Sequence, residues 1–259
     1  MADLEFSVED GIGTILLNRP ERRNAFTFEM VDEWAEIVRT VRTDDDVRVL
    51  VLTGAGKAFC AGGDLDVLSE PQSALGHKRK IHERIQRIAL AMEDLDKPTI
   101  AAVNGDAVGA GMDMALMCDM RIAARSARFA EAYVNVGLVP GDGGCYYLPR
   151  LVGMGRALEL LLTGDLIGAE EAERMGIVNH VVDDDAVMVE TAKLVAKLAA
   201  KSPVALLMIK RATYQSARVD LRTALDLVSS HFGVVATTED SAEARTAFRE
   251  KRPPVFQGR

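Results

Sequence analysis

The chain has 259 residues, 48% of them hydrophobic and 27% charged, a composition typical of a globular protein with a substantial core. Its net charge of −8 and its lack of a basic block with interleaved aromatic residues exclude nucleic acid as an expected partner. Cys60, Cys118 and Cys145 form no metal-ligand pattern, so we expect a reducing compartment and no metal site. The chain has no apolar run long enough to span a membrane, and residues 1–11 do not resemble a signal peptide, which predicts a cytoplasmic protein.

The first predicted elements are a hairpin and an amphipathic helix. Residues 6–17 contain two strand-like runs joined at Asp10-Gly11, a dipeptide that favours a tight β-hairpin turn. A polar loop over residues 18–25 follows. From Thr27 to Arg42, apolar side chains recur at helical spacing, which predicts a helix with one buried face.

Two glycine-rich turns are the most informative feature of the sequence. The first spans Phe59–Leu65 and the second Asn104–Asp113; each follows an apolar, strand-like run and precedes a helical pattern. A turn at such a junction exposes backbone N–H groups at the start of a helix. Two turns that face one another can hold one oxygen atom between two donors. The pattern therefore predicts an oxyanion hole and chemistry on a carbonyl group that becomes negatively charged.

The next part of the chain predicts an extended segment, a third turn and a helix. Residues 128–137 are extended in character, and residues 137–144 form a third glycine-rich turn. The pattern over residues 145–162 is helical, with interruptions near Pro149 and Gly153.

The last part of the chain predicts a helical tail. Strand–strand–helix units continue to about residue 185, and Ser202-Pro203 is a favourable helix start within the tail. Because no clean linker separates the two parts, we predict one α/β domain. Residues 1–185 form its core, and residues 186–259 form a helical extension of it.

Seven short motifs follow one another along the chain, and this ordered series is far more specific than any one of them alone. They are Asn18-Arg19-Pro20, Ala58–Asp64, Lys97–Gly105, Cys118-Asp119, Gly137–Pro140, Leu162–Gly164 and Gly176–Val178. With these motifs the chain resembles the enoyl-CoA hydratase/isomerase (crotonase) superfamily over essentially its whole length. The resemblance implies a crotonase-like spiral of ββα units with a C-terminal helical trimerisation region. It also implies homotrimers that often pair into homohexamers.

The resemblance implies an acyl-CoA thioester as the ligand, with CoA as part of the substrate and no separate cofactor. By position, the backbone amides of Gly63 and Ala110 are then the two donors to the thioester oxygen. Loss of one such donor typically costs about a hundred- to a thousandfold in rate. The adenine end of CoA is expected against the backbone near Ala61, Gly63 and Leu65.

Four basic residues are candidates for contact with the CoA phosphates. Arg22 and Arg23 follow the Asn-Arg-Pro motif, where basic side chains of the family often meet the ADP phosphates. Lys210 and Lys251 in the helical tail are weaker candidates and can also act from a neighbouring subunit. The alternative for each of the four is an ordinary solvated surface charge.

The acid–base residues depart from the pattern of the hydratase branch, which uses two glutamates. Asp113 holds the first position, one methylene shorter, and its alternative role is a first-turn aspartate that the helix dipole stabilises. Tyr133 holds the second position, four residues before Gly137. A tyrosine is neutral at pH 7 and donates a proton more readily than it accepts one.

Two further carboxylates lie near Tyr133 in the sequence. Glu131 would point to the same face as Tyr133 on a strand, although a structural role or a surface salt bridge is the alternative. Asp142 lies in the third turn, one residue beyond Gly141, where some family members carry a catalytic aspartate. Its alternative role is to cap the helix that follows.

The expected reaction is hydration of a 2-enoyl-CoA through an enolate held by Gly63 and Ala110, with Asp113 and either Asp142 or Glu131 in acid–base roles. The first alternative is a double-bond isomerase that needs one carboxylate, and hydrolase or decarboxylase chemistry also stays open. A different class of alternative is a non-catalytic acyl-CoA-binding protein, which the missing second glutamate motivates.

Overall fold

A computed structural model describes residues 2–64 and 73–259 of the chain. It contains two compact units: Met1–Leu95 with Thr99–Ala192, and Asp96–Pro98 with Lys193–Arg259. The division into residues 1–185 and 186–259 stays a prediction.

In the described part of the chain, the strands lie in the first unit. They are β1 (Leu4–Glu9), β2 (Ile12–Leu17), β3 (Val49–Gly54), β4 (Ala58–Cys60), β5 (Thr99–Val103), β6 (Asp106–Val108), β7 (Met120–Ala124), β8 (Arg128–Ala130), β9 (Ile167–Gly168) and β10 (His180–Val182).

The helices of the first unit include short 3₁₀ and π-helical pieces. The α-helices that the structure describes there are α1 (Phe28–Thr43), α2 (Ala74–Lys80), α3 (Arg87–Glu93), α4 (Ala110–Leu116), α5 (Gly144–Val152), α6 (Met154–Thr163) and α7 (Ala169–Met175). A π-helical turn covers Ile81–Ile85, and 3₁₀ turns cover Pro20–Arg22, Ala132–Val136 and Asp184–Ala186.

The C-terminal part of the chain is helical, as predicted. It contains α8 (Val187–Ala199), α9 (Pro203–Ser216), α10 (Leu221–Ala236) and α11 (Glu239–Glu250). Helix α9 starts as predicted, because the Ser202 side chain accepts a hydrogen bond from the Ala205 N–H and Pro203 is the first helical residue.

From β3 to β8, successive strands alternate between two sheets. One sheet has the order β1-β2-β3-β5-β7-β10, and the other has the order β4-β6-β8-β9. The β1–β2 and β8–β9 pairs are antiparallel, and the other pairs are parallel. Three times in succession the chain forms one strand in the first sheet and the next strand in the second sheet: β3 then β4, β5 then β6, and β7 then β8. This succession is the repeating unit of the predicted spiral. Every residue of β3 and β5 is buried, which explains their continuous apolar runs.

The predicted hairpin and first helix are both present. Asp10 and Gly11 have φ values of 49° and 81°, the positive values that a two-residue turn between antiparallel strands requires. Helix α1 begins after Thr27, whose side chain accepts a hydrogen bond from the Met30 N–H.

The prediction of an extended segment over residues 128–137 is wrong beyond Ala130. Strand β8 ends at Ala130, and Ala132–Val136 form a 3₁₀ turn that ends at Gly137 with φ 71°. The left-handed conformation at Gly137 closes this turn. The helix over residues 145–162 is interrupted at Gly153, as predicted, whereas Pro149 lies inside α5.

Candidate active site

The two glycine-rich turns meet. A Cβ atom added to Gly62 would lie 3.3 Å from Ala110 N, and one added to Gly111 would overlap the backbone oxygen of Cys60. Only residues without a side chain allow the two backbones to approach this closely. Sequence reasoning missed the three-residue strands at these turns, β4 and β6, because such short strands show no periodicity.

The backbone N–H groups of Gly63 and Ala110 have no acceptor within the described residues. On either side of Gly63, Phe26 N donates to Gly62 O and Asp64 N donates to Phe26 O, both over 2.9 Å. Ala110 is the first residue of α4, so its N–H cannot bond within the helix. The structure thus brings two turns together with a free donor on each.

A buried asparagine holds the first turn against the polar loop before it. Asn24 has φ 58° and no exposed surface; its Nδ2 donates to Ala58 O over 2.8 Å, and its Oδ1 accepts from Arg19 N over 2.9 Å. Buried Asp64 accepts from Arg19 over 3.0 Å and from Arg22 over 3.1 Å. These contacts, which sequence reasoning missed, tie Arg22 to the first turn.

The other residues predicted to meet CoA in this part of the chain are placed as follows. Ala61 is exposed, and its N–H donates to Arg23 O over 3.0 Å. Arg23 is exposed and has φ 51°. Leu65 lies outside the described residues. Contact of these residues and of Arg22 with CoA stays a prediction.

The two lysines predicted to assist lie in the helical part. Lys210 donates from Nζ to the backbone oxygen of Lys97 over 2.8 Å. Lys251 is exposed and follows α11 with φ 55°. Their contact with phosphate stays a prediction.

The predicted acid–base residues come together around the hydroxyl group of Tyr133. Its Oη lies 2.6 Å from Asp113 Oδ2 and 3.0 Å from Asp142 Oδ2. Asp113 is fully buried on α4, and Asp142 is 5% exposed in the third turn. A phenol has one proton to donate, so both contacts are hydrogen bonds when one aspartate is protonated and donates to Oη. The three side chains therefore form a chain along which a proton can move.

Asp142 does not cap the following helix, so its alternative role is wrong. The N-cap of α5 is Gly143, with φ 124°, and no side chain accepts a hydrogen bond there. The Asp142 carboxyl group points instead to Tyr133. Gln86 holds the turn from outside, because its Nε2 donates to Gly141 O over 2.9 Å.

Glu131 is the fourth member of the cluster, and the surface salt bridge considered for it is wrong. Its side chain is fully buried, and it forms no ion pair within the described part of the chain. A Cβ atom added to Gly144 would overlap Asp113 Oδ1 and lie 2.8 Å from both carboxyl oxygens of Glu131. The absence of a side chain at Gly144, which sequence reasoning missed, makes room for both carboxyl groups.

Burial shifts the pKa values of all four groups upwards. Burial, and then the charge of Asp142, raises the pKa of Asp113 to about 7, although the hydrogen bond with Tyr133 opposes the shift. Burial raises the pKa of Asp142 to about 6, although the hydrogen bond with Tyr133 opposes the shift. The pKa values of Glu131 and Tyr133 are also raised, first by burial and then by the charge of Asp113. Near pH 7 the two aspartates therefore exchange protons easily, while Glu131 and Tyr133 are neutral.

Other chemistry has little support in the described residues. No group of His, Cys, Asp and Glu side chains there is arranged to hold a metal ion. Burial raises the pKa of the Cys60 thiol to about 12, so it is not a thiolate nucleophile at neutral pH. Among the described helices, none is long and apolar enough to cross a membrane.

Comparison with known proteins decides the family. A family model described as enoyl-CoA hydratase/isomerase matches residues 7–259. The chain belongs to the enoyl-CoA hydratase/isomerase family. It is therefore an enzyme of the hydratase/isomerase type, and the predicted crotonase-like α/β spiral is confirmed.

Relatives of this family member include both reaction types. It is 39% identical over 245 residues to a short-chain-enoyl-CoA hydratase of Clostridium acetobutylicum, covering 94% of this chain and 93% of the relative. It is 40% identical over 258 residues to a 1,2-epoxyphenylacetyl-CoA isomerase of Escherichia coli, covering 97% of both chains. A solved enoyl-CoA hydratase from Bacillus anthracis is 34% identical, with a TM-score of 0.93 over 100% of both chains.

Proposed function

We propose that this family member hydrates a 2-enoyl thioester of CoA, with Asp113 and Asp142 sharing the acid–base work through Tyr133. The observation that carries the proposal is the Tyr133 hydroxyl group, which lies within hydrogen-bond distance of both aspartates. The sequence lacks the second glutamate of the hydratase branch. Asp142, connected to Asp113 through Tyr133, supplies a second carboxyl group instead. Relatives named short-chain-enoyl-CoA hydratase and crotonyl-CoA hydratase, 39% and 37% identical, support the assignment.

The thioester oxygen binds between the N–H groups of Gly63 and Ala110. Neither donor has an acceptor in the described protein, so neither has to break a hydrogen bond within that part of the protein when the substrate arrives. As negative charge develops on the oxygen, both hydrogen bonds strengthen. Donors fixed in advance stabilise the transition state more than the ground state, which lowers the barrier to enolate formation.

The carboxyl pair moves two protons in each turnover. The ionised aspartate takes a proton from water while the water oxygen bonds to the β-carbon and the π electrons of the C=C bond move to the thioester oxygen. The protonated aspartate then gives its proton to the α-carbon, and the enolate returns to a thioester. Water has been added, and the two aspartates have exchanged protonation states.

Tyr133 restores the starting state between turnovers. Its pKa is raised well above 10, mainly by burial, so it does not act as a base itself. It can donate its proton to one aspartate while it accepts a proton from the other. This exchange moves the acidic proton back without opening the buried cluster to solvent.

The same proposal includes the rest of the ligand and the assembly. CoA enters as part of the substrate, without a separate cofactor, and its adenine and phosphate groups bind near Ala61, Arg22 and Arg23. Lys210 and Lys251 are secondary candidates for phosphate contact. In the same proposal, the protein is a homotrimer or homohexamer in the cytoplasm and has no nucleic acid or membrane partners.

Double-bond isomerisation is the second candidate. The Tyr133 hydroxyl group fills the interval between the nearest oxygens of the two aspartates, where a reacting water would otherwise be held by both. An isomerase needs no such water, because one carboxylate removes a proton from one carbon and returns it to another. A relative named 1,2-epoxyphenylacetyl-CoA isomerase, 40% identical, is consistent with this candidate.

Turnover in ¹⁸O-labelled water distinguishes the two candidates. We expect crotonyl-CoA to lose its conjugated thioester absorbance and its product to contain one ¹⁸O atom. An isomerase would instead convert a 3-enoyl-CoA into the conjugated thioester without taking up ¹⁸O. Asp113→Asn should abolish the reaction, while Asp183→Asn, which changes an exposed carboxylate, is the control. Tight binding of both thioesters by calorimetry without turnover would favour a non-catalytic binding protein and contradict the proposal.

A further inference from the structure

Glu131 is a buried acid without a cationic partner among the described residues. It follows β8 directly, it has no exposed surface, and neither carboxyl oxygen accepts a hydrogen bond from a described donor group. An ionised carboxylate in such a place would lose its hydration and gain nothing in return, which is strongly unfavourable. The surroundings of Glu131 therefore favour the protonated form, which needs an acceptor for its proton.

The acceptor is the free oxygen of Asp113. Asp113 Oδ2 accepts from Tyr133, whereas Oδ1 has no donor among the described N–H and O–H groups. Asp113 Oδ1 and both Glu131 oxygens converge on the space above Gly144. A hydrogen bond between two carboxyl groups placed in this way requires a proton on one of them.

We infer that Glu131 stays protonated throughout the reaction and donates a hydrogen bond to Asp113. Glu131 is therefore a positioning residue and not a second base. The inference rests on the proposed acid–base role of Asp113. The titratable groups that face Glu131 are Asp113 on α4, Asp142 in the third turn, Tyr133 in the 3₁₀ turn and Cys145 at the start of α5. None of them is a cation that could stabilise an ionised Glu131.

The direction of the effect on Asp113 follows from this arrangement. A hydrogen bond to an ionised carboxylate favours the charged form and lowers its pKa. Glu131 thus acts against the burial of Asp113, and so does Tyr133 on the other oxygen. Removal of the Glu131 donor should raise the pKa of Asp113, so that a higher pH is needed to ionise it.

The first test measures the proton on Glu131 directly and needs no substrate. The wild type at pH 8 should show an infrared C=O stretch from a protonated carboxyl group that is lost in Glu131→Gln. Glu159→Gln, which removes an exposed carboxyl group on α6, is the matched control and should leave the band in place. If Glu131→Gln does not remove a protonated-carboxyl band, Glu131 is ionised and the inference is wrong, whichever reaction the enzyme catalyses.

The second test compares two replacements of similar size by ¹³C NMR titration of Asp113, assigned with Asp113→Asn. Glu131→Met removes the donor and should raise the pKa of Asp113 by on the order of one unit. Glu131→Gln keeps an N–H donor and should return the pKa towards the wild-type value. An equal pKa of Asp113 in the two variants would contradict the inference, because a purely structural role gives no reason for an amide to rescue it.

Discussion

Tyr133 and Asp113 are joined by a hydrogen bond of 2.6 Å between the phenol Oη and the carboxyl Oδ2. They come from different elements, the 3₁₀ turn after β8 and helix α4; Asp113 is fully buried and Tyr133 is half-buried. The bond places a neutral donor beside the carboxyl group that we assign to proton transfer. It also leaves the Tyr133 oxygen able to accept a proton from Asp142, 3.0 Å away.

The first prediction concerns this hydroxyl group. Tyr133→Phe keeps the ring but removes the path between the aspartates, so kcat should fall by about tenfold to a hundredfold with KM little changed. Because Tyr133 lowers the pKa of both aspartates, the acid limb of the pH–rate profile should move to higher pH. Tyr146→Phe, on the exposed side of α5, is the control. A wild-type rate and profile for Tyr133→Phe would contradict the proton path.

The second prediction concerns the space above Gly144. The Cβ atom of Gly144→Ala would overlap Asp113 Oδ1 and press on both oxygens of Glu131, so the carboxyl groups must move. We expect kcat to fall by about a hundredfold and the free energy of unfolding to fall by about 1–3 kcal/mol.

The control for this variant is Gly155→Ala on α6. An added Cβ there meets nothing within 4 Å, so alanine should stabilise the helix slightly and leave kcat unchanged. Equal activities of the two alanine variants would show that the carboxyl groups do not need this space.

The third prediction concerns the junction of the two glycine-rich turns. Gly111→Ala would drive a Cβ atom into the backbone oxygen of Cys60 and so separate the donors of Gly63 and Ala110. Misplacing one donor should lower kcat/KM by about a hundredfold or more. Gly168→Ala, where an added Cβ has open space, is the control. Unchanged turnover in Gly111→Ala would contradict the assignment of the oxyanion hole to Gly63 and Ala110.

The fourth prediction is a dependence of stability on pH that arises from Asp142. Its pKa is about 6 in the folded protein against 3.8 as the ordinary value, so the folded state binds more protons than the unfolded state between these values. The contribution to stability is therefore present below pH 3.8 and is lost as the pH rises through 6. The shift corresponds to about 3 kcal/mol.

Urea unfolding at pH 5 and pH 8 measures this contribution. The fall in unfolding free energy between the two pH values should be smaller in Asp142→Asn than in the wild type, because the asparagine does not ionise. The same fall in both proteins would show that Asp142 titrates normally.

Much of the fold could be predicted because its signals are local. The apolar runs of β3 and β5, the Asp10-Gly11 turn and the Ser202 cap each depend on a few adjacent residues. The three-residue strands β4 and β6 could not be predicted, because they exist through pairing with one another and with β8. Their length is too short for a period of two to be seen.

The candidate site was predictable in its members but not in its connections. The spacing of the family motifs led to Asp113 and Tyr133, and proximity in sequence led to Glu131 and Asp142. The supposed strand through Glu131 was wrong, yet Glu131 reaches the cluster because the chain turns after Ala130. Which carboxyl groups are buried together depends on packing around Gly144, and no local pattern carries that information.

The central claim is that Asp113 and Asp142 act as one unit through Tyr133, and a double-mutant cycle on crotonyl-CoA hydration tests it most directly. The rate is measured for Asp113→Asn, for Asp142→Asn and for the double variant. If the two aspartates act together, each single variant should lose at least a hundredfold in kcat, and the double variant should lose little more than the worse single variant. Losses that multiply in the double variant, or a wild-type rate for Asp142→Asn, would contradict the claim.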